Sequence, residues 1–225
     1  TTDTDFSGGT FASTTVSGTG TAASVKLANY QSVVSNTAGL VSYWKMDEGT
    51  GSFVDDAKST NDGTWSGTGS HWGTARYGAY SGSFNGVDDR VTIPHNANLS
   101  FSGVCSFELW INRDSATANY GEALISKRAE GGSGNLSNYQ IYLGPTTRKM
   151  RFYNGTSEYE WNYSPPIGTY THIVVVFNGT NTWSLYVNGV FHSDLTANIG
   201  ATNTGTLKLG FYDHPTSSDE PYHGL

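Results

Sequence analysis

The stretch from Thr171 to Gly189 restricts this chain more than any other. Thr171 to Phe177 is a β-branched and aromatic run that meets Asn178-Gly179. Trp183-Ser184-Leu185-Tyr186-Val187 then runs into Asn188-Gly189. Asn-Gly suits a type I′ turn, because both central positions of that turn need positive φ. An antiparallel hairpin is the expectation. Cys105–Ile111 carries the same message with period 2: Cys105, Phe107, Leu109 and Ile111 fall on one face, and Ser106, Glu108 and Trp110 on the other. Shorter runs at Val41 to Met46, Arg90 to Ile93, Tyr139 to Leu143, Met150 to Tyr153 and Leu207 to Phe211 stop at turn residues such as Asp47-Glu48-Gly49, Pro94 and Gly144-Pro145. No segment of ten or more residues sustains a helical period. The fold class that follows is all-β, an antiparallel β-sandwich or barrel. Phe107, Leu109, Ile173, Val175 and Leu185 are expected to share one core.

Composition narrows the function. Hydrophobic residues make up 36% and charged residues 14%, with 28 Gly, which fits neither a charged disordered chain nor a helical protein. A net charge of −7 lacks the basic stripe that nucleic acid requires. The longest apolar run, Ile173-Val174-Val175-Val176-Phe177, is strand-sized, so no membrane span is expected. Cys105 stands alone and alternates with Ser106, which reads as a buried, inert thiol and leaves no intrachain disulfide. A first residue of Thr1 and an abundance of Ser, Thr, Gly and Asn point to a processed, secreted or cell-surface protein.

Residues 1–37 differ from the rest. Thr10 to Val16 and Ala23 to Leu27 are β-prone around Gly18-Thr19-Gly20, with too little apolar material for a core of their own. They read as an N-terminal arm that packs on a neighbour, as the tail of a preceding module, or as a linker. Residues 38–225 are read as the sandwich.

Four stretches of that region stand out: Gly39 to Gly49, with its acidic turn; Ser83-Phe84-Asn85-Gly86-Val87-Asp88-Asp89-Arg90-Val91; Ser106-Phe107-Glu108-Leu109-Trp110-Ile111; and Tyr170 to Phe177 with Leu185-Tyr186-Val187-Asn188-Gly189. Together they resemble the laminin-G-like jelly roll of the concanavalin-like lectin/glucanase superfamily. The resemblance implies two antiparallel sheets packed face to face. It also implies a last, acidic strand beside the opening one, and the sequence stops at His223-Gly224-Leu225, where that strand would begin. Either the chain is a fragment or another chain supplies the strand.

Three candidate sites follow. Structural calcium is common in the resembled family, and its acidic strand-end positions match Asp47 and Asp88 or Asp89. Ca²⁺ needs six to eight oxygen ligands, and ordinary turn chemistry explains the same acids. In the related pentraxin lectins two rim loops carry calcium and ligand together. Here they correspond to Lys127 to Asn138 and Tyr212 to Glu220, which offer Asn135, Asn138, Tyr212, Asp213, Asp219 and Glu220 as ligand-binding residues. Third, Tyr159, Trp161 and Tyr163 alternate with Glu158, Glu160 and Asn162. That spacing suits a sugar-stacking strip or, more simply, aromatics turned into the core.

Glu158 and Glu160 are also the one tempting catalytic pair, about 7 Å apart as i and i+2. The glucanases of the superfamily use an E-x-D-x-x-E strand instead, and no such string occurs here. Neither a G-x-S-x-G turn nor metal-spaced histidines are present. The expectation is a non-enzymatic binding or adhesion module for glycans or a protein partner, with calcium as a candidate cofactor. The alternative is a structural subunit that self-associates by exchanging the N-terminal arm as a β-strand. A glycan-active enzyme is the third and weakest reading.

Overall fold

The computed structural model describes residues 39–114, 121–129, 137–212 and 221–224. Within them the chain forms the antiparallel β-sandwich that the alternation predicts. The larger sheet runs, in spatial order, Phe53–Val54, Gly63–Ser66, Arg90–Ile93, Leu207–Leu209, Glu122–Arg128, Ser137–Leu143, Met150–Tyr153 and Glu158–Glu160. The smaller runs Val190–Thr196, Thr182–Val187, Thr171–Phe177 and Cys105–Ile111. His223–Gly224 pairs separately with Phe84–Asn85, and Trp72–Thr74 with Tyr80–Gly82.

The core lies between the two inner faces. Trp183 stacks on Phe177 at 4.6 Å and meets Phe152 of the opposite sheet at 4.0 Å, and its indole N–H donates to the Ala197 carbonyl at 3.1 Å. Phe107, Ile173, Val175 and Leu185 are buried there as expected. Leu109 packs against the same core but is only half-buried. Among the described residues its strand is outermost in the smaller sheet, with a neighbouring strand on one side only. Burial pushes the Cys105 thiol up to about 12, which makes it inert. Tyr159, Trp161 and Tyr163 turn inward and Glu158, Glu160 and Asn162 outward.

Four local expectations are corrected. Asn188 (φ 50°) and Gly189 (φ 79°) adopt the two positive-φ positions expected of a type I′ turn, but at Asn178-Gly179 only the glycine has positive φ. There the Asn178 side-chain carbonyl accepts the N–H groups of Thr180, Asn181 and Thr182 at 2.8–3.1 Å, so a side chain organises that turn. Val41 to Met46 is not a strand. Trp44 alone bridges Asp56, Met46 sits at φ 58°, and the Tyr43 N–H donates to the Asp56 carboxylate at 2.8 Å rather than to a ladder. Lys127 and Arg128 close a strand and Ser137 and Asn138 open the next, so the loop expected from 127 to 138 is shorter. Val190–Thr196, mostly exposed and without clear alternation, adds a strand that the pattern does not announce. The β-prone arm of residues 1–37 lies outside the described residues.

The outer face of the smaller sheet is open. Trp110 stacks on His172 at 4.8 Å, and the Arg76 guanidinium lies over Trp110 at 4.7 Å and over Tyr77 at 5.0 Å. His172 also meets the Glu108 carboxylate at 2.9 Å.

Candidate functional site

The outer face of the larger sheet is built differently. Directly opposed residues in an antiparallel sheet share a face. The register therefore sets Thr92, Lys208, Ser126, Gln140, Tyr153 and Glu158 in one outward row. Ala123, Tyr142, Arg151 and Glu160 form the row beside it. Ser126, Gln140 and Tyr142 are buried although they point away from the sandwich core. Tyr212 covers part of them, packing with Ala123 and Tyr142 and against Tyr153.

Backbone geometry brings Tyr212 there. Gly210, at φ 73°, turns the chain out of Leu207–Leu209, and a Cβ at this position would collide with the Phe84 ring. Its N–H donates to the Leu124 carbonyl at 3.1 Å and its carbonyl accepts the Tyr222 N–H at 2.9 Å, which fixes both ends of the turn. Phe211 and Tyr212 then lie across the sheet. The Ser126 hydroxyl donates to the Phe211 carbonyl at 2.8 Å, Arg90 sits 5.1 Å from the Phe211 ring, and Arg128 sits 5.5 Å from the Tyr212 ring.

The far side of this face is an ion-paired ladder. Arg151 donates from Nε to Glu160 at 2.9 Å and from Nη1 to Glu158 at 3.1 Å, while Lys149 reaches Glu160 at 3.2 Å. Burial alone would raise Glu160, but hydrogen bonds from Arg151 and Lys149 outweigh it and the net shift is downward. A carboxyl held ionised is a poor general acid. Burial pushes the Tyr142 phenol up, the Glu158 carboxylate beside it adds to this, and Arg151 opposes it. The face thus offers amide, phenol, guanidinium and carboxylate groups around aromatic rings, the chemistry that reads hydroxyls while stacking on a flat sugar face.

Among the residues singled out from sequence, Tyr212 belongs to this face. Asn138 is fully buried and its amide is spent within the protein: Oδ1 accepts the Phe101 N–H at 2.9 Å, and Nδ2 donates to the carbonyls of Phe101 and Gly200 at 2.9 and 2.8 Å. It fastens two loops to a strand end and is no ligand contact. Asn135, Asp213, Asp219 and Glu220 lie outside the described residues. Gln140, Tyr142, Arg151 and Tyr153 were missed as site residues. In sequence, Asn138, Gln140 and Tyr142 read as the polar half of an alternating strand, and only the structure shows that half to be buried.

The carboxylates considered for calcium are each engaged within the protein. Asp47 pairs with Lys45 at 3.6 Å. Asp88 accepts from Asn85 Nδ2 at 2.8 Å and from the Thr68 hydroxyl and N–H at 2.9 and 3.1 Å; the Asn85 bond leads the causes that hold its carboxyl low. Asp89 is buried and accepts the N–H groups of Gly69 and Asn85 at 2.9 and 3.1 Å. Asn85 Oδ1 in turn accepts the N–H groups of Val87, Asp88 and Asp89. Asp88 and Asp89 thus organise a loop around N–H and O–H donors. Among the described residues no three His, Cys, Asp or Glu side chains gather as a metal site would require. Nor is any helix there long and apolar enough to cross a membrane.

Residues 85–225 match a laminin-G family model described as the concanavalin A-like lectin/glucanases superfamily. No curated protein matches the chain. Among solved structures, a Trypanosoma rangeli sialidase mutant with trans-sialidase activity aligns with a TM-score of 0.61 and 17% identity, over 84% of this chain and 30% of the sialidase. Botulinum neurotoxin type C, whose cell entry depends on two ganglioside molecules, aligns at 0.54 and 15% identity, over 84% of this chain and 50% of the toxin. The binding domain of botulinum neurotoxin DC, solved with rat synaptotagmin II, aligns at 0.52 and 15% identity, over 75% of this chain and 43% of that one. At these identities the likeness is one of fold.

Proposed function

Because this chain belongs to the concanavalin A-like lectin/glucanase superfamily, we propose that it acts outside the cell as a carbohydrate-binding module, with the ligand lying across the outer face of the larger sheet. One observation carries this reading: Gln140, Tyr142, Tyr153 and Tyr212 form a polar and aromatic patch, edged by Arg151 and Arg128, on a face that points away from the core. Tyr153, only half-buried, is the ring positioned to stack, and the exposed Glu158 carboxylate with the Arg151 guanidinium beside it are the groups to read hydroxyls. The module works by binding and not by turnover, since Arg151 and Lys149 keep Glu160 ionised and its neighbour Glu158 engaged. The structures solved with ganglioside-dependent or protein-bound toxins support a binding role on this fold and leave the ligand to experiment. Calcium plays no part in this reading.

The test is a glycan array with wild type and Tyr153→Ala. Loss of one stacked ring should weaken binding of a positive glycan by about 1–3 kcal/mol, roughly 5- to 150-fold, with melting behaviour little changed. An array with no positive glycan, or one on which Tyr153→Ala binds as well as wild type, removes this face as the site. A second reading, assembly by strand addition, draws on Cys105–Ile111, which pairs on one side only among the described residues. An array without hits together with concentration-dependent oligomers favours it.

A further inference from the structure

The side chain of Lys127 points between the two sheets. Directly opposed residues share a face, and Lys127 opposes Leu207 on one side and Tyr139 on the other, both buried in the core. Lys127 is itself 0% exposed. An ammonium has three N–H donors and no acceptor of its own, so burying it demands acceptors around it. Lys127 has two: it donates to the Gly205 carbonyl and lies 3.1 Å from His95 Nδ1. Because the ammonium can only donate, Nδ1 is the bare nitrogen of His95 and Nε2 carries the proton.

The pair ties three segments together. His95 belongs to the connection through the short turn Ala97–Leu99, where the Leu99 carbonyl accepts the Tyr139 hydroxyl at 2.9 Å. One residue on, the Ser100 hydroxyl donates to the Asn203 carbonyl at 2.9 Å. Asn203 in turn accepts the Gly205 N–H on its side-chain oxygen at 3.0 Å and donates from Nδ2 to the Lys127 carbonyl at 3.4 Å. A Cβ at Gly205 would strike the Arg128 carbonyl, so the loop lies directly against the end of Glu122–Arg128.

Among the described residues no carboxylate offsets this charge, and burial alone pushes Lys127 down, to about 8. Tyr139, and Cys105 beyond it, face the interior as neutral groups, since burial pushes both up. Arg128 reaches the Tyr212 ring and Lys208 lies in the outward row, so both belong to the other face of the sheet. Other histidines are set differently. His71, His172 and His223 stand 3.4, 2.9 and 3.6 Å from Asp89, Glu108 and Asp114, and His192 Nδ1 meets the Ser193 hydroxyl at 2.8 Å. His95 is the described histidine that faces a cation.

We propose that Lys127 and His95 form a proton-operated clasp, which pins the Asn203–Gly205 loop to the sheet while His95 is neutral and opens when His95 takes up a proton. That proton must go to Nδ1, the atom that accepts from Lys127, and it sets two cations 3.1 Å apart. His95 is exposed and can turn to water, whereas Lys127 is enclosed and keeps the Gly205 carbonyl as its one acceptor. Imidazole changes charge between about pH 5 and 8, which sets the window for opening. The alkaline side has the same sign. Lys127 sits below its ordinary value in the folded protein, so the unfolded chain holds that proton more firmly and stability rises as pH passes upward through about 8. The neutral amine still has an N–H for each acceptor, and the clasp stays closed.

Hydrogen–deuterium exchange of the full chain at pH 7.5 and pH 5, corrected for the intrinsic pH dependence of exchange, reads the clasp directly. In wild type, protection over residues 203–206 should fall about tenfold at pH 5 relative to that of Thr171–Phe177. His95→Gln offers an amide oxygen that accepts from the ammonium at either pH, so the loop should stay protected at both. Lys127→Met removes the ammonium and should give the same protection at the two pH values. Should Lys127→Met fail to fold, His95→Gln still decides, because its side chain is at the surface. Equal protection in wild type at the two pH values, or a fall that persists in His95→Gln, overturns the proposal.

Discussion

Two seven-residue strands show what alternation tells and what it conceals. Thr171–Phe177 is buried at Thr171, Ile173, Val175 and Phe177 and half-buried between them, as a strand with one face to the core and one toward solvent should be. Ser137–Leu143 alternates as cleanly in sequence, Tyr139, Ile141 and Leu143 against Asn138, Gln140 and Tyr142, yet it is buried at every position. The first strand's outward face, His172, Val174 and Val176, is only half-buried. The second's is covered by Tyr212, fastened by Asn138 and edged by Arg151. Period 2 identifies the inward half of a strand, and how deeply the outward half is covered depends on connections far away in sequence.

If the two sheets share a single core, their inward residues should be equivalent, whatever lies outside. Ile141→Ala and Ile173→Ala should each cost about 2–5 kcal/mol, measured by denaturant unfolding, because both are fully buried. The two costs should agree to within a kcal/mol or so. A much smaller value for Ile173→Ala would mean that the smaller sheet is held less firmly, and the comparison would then lie in stability and not in covering alone.

The inner half of the molecule was legible from residues 105–111 and 171–187, where β-branched and aromatic residues alternate without interruption. The site was not. Glu122 to Arg128 has successive apolar residues followed by two cations, so its strand character depends on burial of both faces, which a one-faced pattern does not express. Lys127 closes the strand with its ammonium buried, donating to the Gly205 carbonyl and 3.1 Å from His95 Nδ1, and burial lowers it to about 8. Read locally, such a lysine marks a loop. At Asp88 and Asp89, Asn85 three and four residues earlier and Gly69 twenty earlier supply N–H donors, an arrangement that local spacing does not express. Tyr212 lies on the outer face of the larger sheet because Gly210 turns the chain there, while its partners Tyr142 and Tyr153 come from strands whose outward halves look like ordinary surface.

The covering of the larger sheet can be tested on its outward side. Asn138→Ala leaves the Phe101 N–H and the carbonyls of Phe101 and Gly200 unsatisfied, and should cost about 1–3 kcal/mol. Ser184→Ala, at a half-exposed outward position of the smaller sheet, should stay within about 0.5 kcal/mol. Equal small losses at both positions would show that the covering is loose, and would break the distinction between the two faces.

The smallest effect sharpens the comparison from the other side. The open face of the smaller sheet has one feature that resembles a cover, the Arg76 guanidinium stacked on Trp110, which stacks in turn on His172. Arg76 is exposed and Trp110 is 39% exposed, so water competes for the cation and the contact belongs to the weak end of its class. The segment that carries Arg76 has a second anchor, the Tyr170 hydroxyl donating to the Thr74 carbonyl at 2.7 Å, so losing the arginine should not release it. Arg76→Ala should therefore cost about 0.5–1 kcal/mol. A cycle with Trp110→Ala separates the pair from each residue's other contacts. A coupling near 0.5 kcal/mol fits a side chain resting on an open sheet. A coupling above 2 kcal/mol would mean that Trp110 is desolvated and that this face, too, is built around a covered aromatic centre.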